Sequence, residues 1–239
     1  MVNTINYVIM VPMVYLAVAV FVIGVCARML SIWRAPRHRA PLRLYPVSRA
    51  PGLRALWDTF AMPQVRKHDP RFWFWLILYH LAFLVLILGH LDLLPGINLM
   101  PADSPHMLGW GAAGVVVTIA LFCFLIRRFR PPVRDISTLG DYLLLMLLLF
   151  LCLTGDIISW SNSWNQDDGG FVLGKEEFGA YLQSLLGFSF EDPLEILEHS
   201  HYVVLVIHVF LANLFLMVFP FTKLTHTFLA APINRLRRG

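Results

Sequence analysis

The sequence predicts an all-α integral membrane protein with five transmembrane helices. Three observations carry that expectation. Of 239 residues, 58% are hydrophobic and only 14% are charged, against about 45–50% and about 25% in an ordinary soluble domain. Five runs are long and apolar enough to cross a bilayer core: about 7–26, 72–91, 107–126, 142–159 and 202–221. The basic residues are segregated into alternate connections. Ten of 19 Lys and Arg lie between Arg28 and Arg71, four from Arg127 to Arg134 and four from Lys223 to Arg238, while Lys175 stands alone in the other set. The positive-inside rule then places the N-terminus outside and the C-terminus in the cytoplasm, as a single membrane domain over residues 1–239. The pI near 9.1 is thus a consequence of topology, and no nucleic-acid binding is read from it.

The first run has no Lys or Arg before it and is read as a retained span, not a cleaved signal peptide. The basic cytoplasmic loop 28–71 carries Pro36, Pro41, Pro46 and Pro51, which suggests an extended segment on the membrane surface or on a partner. Within it, Leu53–Pro63 (LRALWDTFAMP) has the make-up of a short interfacial helix. Span two opens with Trp73 and Trp75 beside Arg71, an interfacial aromatic belt, and ends at Asp92 and Pro95. The small residues of HMLGWGAAG (106–114) favour close helix packing in span three. Asp135 or Ser137 is expected to cap span four, which has no histidine and reads as a packing helix. Asp156 either ends that span or takes a proton. The acidic outer segment 160–200 includes an apolar stretch, Phe178–Phe190, that is too short to span and suits an interfacial helix or a lid; Asp192 is a candidate cap before span five.

The three cysteines, Cys26, Cys123 and Cys152, lie inside apolar runs and form no CxxC or CxxCH. Neither a zinc or iron–sulfur framework nor covalent haem attachment is encoded in that spacing. Phosphate-binding glycine loops, serine nucleophile motifs and HExxH are also missing from the sequence. Chemistry here would come from a cofactor.

Histidine is the residue placed to hold one. His80 and His90 sit ten residues apart within span two, about 15 Å of helix rise. Ionisable groups at that depth are costly unless they serve a function. Span five brings further candidates: His199, His201, His208 and, beyond Pro220, His226. Imidazole is a frequent axial ligand of haem iron, and two haems between antiparallel helices need two facing pairs. His201 and His208 share a helical face, and so do His208 and His226 if the helix runs straight, though Pro220 is expected to kink or break it and shorten the reach. Topology favours the second pair, because only His226 approaches the inner side where His80 lies. His38 and His68 read as solvated loop residues.

The segments YHLAFLVLILGH and HVFLANLFLMVFPFTKLTHTF resemble the gamma-subunit family of respiratory nitrate reductase, five-span dihaem b-type cytochromes that oxidise quinol. Both histidine spacings match, as do the FPF-(S/T)-(K/R)-L-x-H signature at Phe219–His226 and the RRxxxPxVR…D connection into span four. The resemblance implies two haems b between spans two and five, with His80 and His226 as axial ligands of the inner iron and His90 and His208 as those of the outer. It also implies a quinone contact near the start of span three, where His106 stands. The long basic inner loop and the acidic outer segment look more like the cytochrome b subunit of the sulfite-reductase-linked (Dsr) membrane complex of sulfur metabolism.

The expected function is electron exchange between menaquinone or ubiquinone and a cytoplasmic iron–sulfur protein subunit. The chain would work alongside further membrane or periplasmic subunits, in a bacterial or archaeal cytoplasmic membrane. A respiratory nitrate reductase gamma subunit is one alternative. A histidine-lined metal or proton transporter is an alternative of another class. A plain membrane anchor is a third, but it needs no matched histidines.

Overall fold

The computed structural model describes residues 2–34, 50–94, 96–99, 111–164, 175–191, 193 and 202–238. Among them the regular elements are all helical: α1 (Val2–Met10), α2 (Pro12–Trp33), α3 (Pro51–Phe60), α4 (Pro63–His68), α5 (Pro70–Leu91), α6 (Gly111–Arg128), α7 (Leu139–Trp164), α8 (Lys175–Leu186), α9 (Tyr202–Val218) and α10 (His226–Arg238). Five stretches are long and apolar enough to cross a membrane: Asn3–Trp33, Pro70–Leu91, Gly111–Arg128, Leu139–Ser161 and Tyr202–Phe221. Large side chains such as Leu81, Leu84, Ile119, Phe122 and Leu143 face outward, as expected where lipid is the solvent. His106, His199, His201, Asp192 and the prolines 36, 41, 46 and 95 lie outside the described residues.

The chain divides into two compact units, residues 1–17 with 78–215, and residues 18–77 with 216–239. In the first unit α6 and α7 pack along their length. The buried face of α6 is Gly111, Gly114, Val117, Ala120 and Leu121, a small-residue stripe at three- and four-residue spacing that lets two backbones approach. Gly114 is obligatory in that stripe, because a Cβ there would collide with Asp156 Oδ1. Thr118 Oγ1 donates to the other carboxylate oxygen at 2.7 Å, so Asp156 sits within α7, bound to its neighbour, and does not end the helix. Thr138 caps α7. Its backbone N–H and hydroxyl both reach Asp141 Oδ2, at 3.0 and 3.1 Å, while Asp141 N–H returns to the Thr138 carbonyl. The cap therefore falls neither on Asp135, which stands in a short 3₁₀ turn, nor on Ser137, whose hydroxyl accepts from Arg128. The Asp141 carboxylate accepting from the Thr138 N–H, one half of a capping box, marks the position.

The first span is interrupted at Val11. Pro12 opens α2 and has no N–H to continue α1. Two carbonyls at this break find side-chain donors elsewhere: Asn213 Nδ2 reaches Ile9 O at 3.0 Å, and the Tyr181 hydroxyl reaches Met10 O. Met10 and Val11 then join Ile158, Tyr181, Leu185, Leu205, Val206 and Val209 in one core. The expected short helix in Phe178–Phe190 thus forms as α8, with one face packed into this core. Tyr15 and Tyr7 tie down its C-terminal end through the carbonyls of Leu185 and Phe190.

In the second unit Pro51 and Pro63 stand at the first turns of α3 and α4. The expectation of an extended segment therefore fails at Pro51, because proline at a helix start costs no hydrogen bond. The short helix expected in Leu53–Pro63 is present as α3. It packs on α10, burying Ala55, and Asn234 Nδ2 donates to Thr59 Oγ1 at 3.0 Å. Leu53, Trp57 and Phe60 remain exposed. Asp69 caps α5, accepting from Phe72 N–H at 3.0 Å ahead of Pro70. Pro220 packs so tightly on Gly24 that a Cβ there would lie 2.7 Å from the ring.

Candidate functional site

His90 lies in the last turn of α5 and His208 in the middle of the apolar helix α9. Their ring centroids are 6.5 Å apart, and the ring planes diverge by 20°. A metal–imidazole bond is about 2.0–2.1 Å, and roughly 1 Å more leads to the ring centre, so two imidazoles on opposite sides of one ion have centres about 6–6.5 Å apart. The observed pair fits that separation.

The hydrogen bonds of these rings matter as much as their spacing. His90 Nδ1 lies 2.8 Å from the Leu86 carbonyl, one turn back on its own helix. A carbonyl only accepts, so this nitrogen carries the proton and Nε2 keeps its lone pair. His208 Nδ1 lies 3.0 Å from Thr154 Oγ1 on α7. The next residue, Gly155, makes that approach possible: a Cβ there would lie 3.1 Å from His208 Cε1. His226, at the first position of α10 in the second unit, has Nδ1 2.9 Å from the Lys223 carbonyl. An oxygen acceptor on Nδ1 is the usual arrangement of metal-bound histidine, which binds through its other ring nitrogen. His80 belongs to the first unit and sets its ring edge-on to Tyr79 at 5.2 Å.

One expectation is met by this geometry and one is corrected. Helix α9 stops at Val218. Two 3₁₀ turns, Phe219–Phe221 and Lys223–Thr225, separated by the extended Thr222, follow before α10 begins at His226. The helix is broken at Pro220, as expected of a residue that cannot continue the hydrogen-bond ladder. Span four, read as packing alone, supplies Thr154 and Gly155 to the surroundings of His208. The signal available in the sequence was a Thr-Gly-Asp triplet inside an otherwise aliphatic run.

Among the described residues, no three His, Cys, Asp or Glu side chains converge as a metal-holding group. A pair of imidazoles fits haem iron, whose porphyrin already supplies four ligands, better than a bare ion needing three or four protein donors.

The family model for the nitrate reductase gamma subunit matches residues 71–239. The chain belongs to that family. Two curated relatives extend the comparison. The Hdr-like menaquinol oxidoreductase cytochrome b-like subunit of Archaeoglobus fulgidus is 25% identical, over 89% of this chain and 74% of its own length. The nitrate reductase gamma chain of Bacillus subtilis is 29% identical, over 68% of this chain and 74% of its own. The matched region contains α5 to α10, and with them His80, His90, His208 and His226.

Proposed function

We propose that this chain is the membrane cytochrome b subunit of a quinone-linked redox complex, holding two haems b between α5 and the α9–α10 region. The observation that carries the reading is the His90–His208 pair, 6.5 Å apart with near-parallel rings and each Nδ1 engaged by an oxygen. His90 and His208 would hold the outer haem, and His80 and His226 the inner one. When bound, haem supplies one-electron transfer, and the protein supplies orientation and electrostatics.

Quinone exchange is supported by the Archaeoglobus fulgidus relative, a menaquinol oxidoreductase subunit; ubiquinone is the other candidate. His106, at the expected start of span three, is the proposed contact to a quinone carbonyl. With the N-terminus outside, the 18 basic residues outside the outer loops face the cytoplasm. They offer a docking face for an iron–sulfur protein subunit, which this chain needs because its three cysteines are too few for a Cys₄ cluster. The setting is a bacterial or archaeal cytoplasmic membrane, with further membrane or periplasmic subunits. Among complexes, the sulfite-reductase-linked type of sulfur metabolism is proposed from the long basic loop and the acidic outer segment. The Bacillus subtilis match favours nitrate reductase as the second reading.

A menaquinol analogue added to the oxidised, purified protein should produce the absorbance of reduced b-type haem. Dithionite reduction without any reduction by menaquinol or ubiquinol analogues would remove the quinone link and leave a haem protein of another kind.

A further inference from the structure

We propose that Thr154 is a positioning residue that fixes the tautomer of His208 and thereby lowers the reduction potential of the iron this histidine would hold. The inference rests on the haem reading above.

Thr154 has a single hydroxyl proton. Two carbonyls of its own helix compete for it, Phe150 O at 3.0 Å and Leu151 O at 2.9 Å. With its proton turned back into α7, the Thr154 oxygen meets His208 as an acceptor, 3.0 Å from Nδ1. The imidazole proton is therefore on Nδ1, and the lone pair is on Nε2, the nitrogen a metal takes. Gly155 permits this close approach, since a Cβ would lie 3.1 Å from His208 Cε1.

The acceptors for His90 and His226 are backbone carbonyls close by in sequence, Leu86 and Lys223. No side-chain replacement removes those. The Thr154 hydroxyl is a side-chain acceptor and arrives from a different helix, where the Leu151 carbonyl is a second partner of the same ring. An acceptor on Nδ1–H increases the electron density at the opposite nitrogen. A more basic axial ligand favours the ferric state over the ferrous, so the hydroxyl lowers the potential.

The test compares Thr154→Val and Thr154→Ser in the full chain, purified in detergent with haem quantified. Valine keeps the branched shape without the hydroxyl, and serine keeps the hydroxyl without the methyl. The expected result is that T154V raises the midpoint potential of one haem and changes its low-spin electron paramagnetic resonance signal, while T154S retains both wild-type values. Loss of that haem in T154V, with retention in T154S, supports the same role. Unchanged potentials and spectra in T154V overturn the proposal, as does T154S behaving like T154V. A wild-type chain that binds no haem would instead overturn the haem reading itself.

Discussion

Gly155 and His208 touch across two helices so closely that a Cβ on the glycine would require the imidazole to give by a few tenths of an ångström. A Cβ on Gly155 would stand 3.1 Å from Cε1 of the imidazole and 3.6 Å from its Nδ1. Gly155→Ala should push the His208 ring off its position and away from Thr154. The expected outcome is loss of the outer haem's share of the reduced-minus-oxidised spectrum, with the other haem intact. Intact absorbance from both haems would mean that the ring tolerates displacement.

Gly114 and Asp156 form a second close contact. Gly114→Ala should overpack α6 against α7 and destabilise the chain by about 1–3 kcal/mol, read as a lower unfolding temperature in detergent. Asp156→Ala in the same chain removes the colliding oxygen and should restore most of the loss. Failure of the second substitution to rescue would place the strain elsewhere.

The Tyr181 hydroxyl donates to the Met10 carbonyl at the break before Pro12. Tyr181→Phe leaves a buried carbonyl without that donor, a cost of about 1–3 kcal/mol, with the haem spectrum unchanged. Burial also holds the phenol protonated above its ordinary value of 10.0. A neutral group whose folded pKa is raised has no effect below the unfolded value. Above pH 10 the unfolded chain ionises first, so stability falls as pH rises from there. Thermal unfolding at increasing alkaline pH should show this loss in the wild type and less of it in Y181F.

Pro220 ends α9 and lies between His208 and His226. Pro220→Ala should let the helix continue through Phe219–Phe221 and turn His226 to a new direction. Loss of the inner haem alone is expected, measured by haem content and spectrum. Loss of the outer haem instead would contradict the assignment of His226.

Much of this was legible in the sequence, because lipid imposes a simple code. Apolar runs marked all five spans to within a few residues at most described ends, and His80, His90, His208 and His226 stood out as ionisable groups on or beside apolar helices. Local hydrogen-bond choices were harder to read. Thr138 rather than Ser137 precedes α7, because Asp141 lies three residues on from Thr138 and accepts from its N–H. Prolines were ambiguous: Pro51 and Pro63 start helices in the basic loop, while Pro12 and Pro220 interrupt spans. Thr154 was invisible as a partner of His208, since 54 residues separate them and no periodicity links one helix's register to another's.

The central claim is that four histidines hold two haems in two fixed pairs. The most direct measurement is haem per chain, with reduced-minus-oxidised spectra, in the wild type and in four single His→Ala variants. The predicted result is two low-spin b-type haems, one lost in both His90→Ala and His208→Ala, the other in both His80→Ala and His226→Ala. A colourless protein from haem-sufficient cells, or variants of one pair that lose different haems, would contradict it.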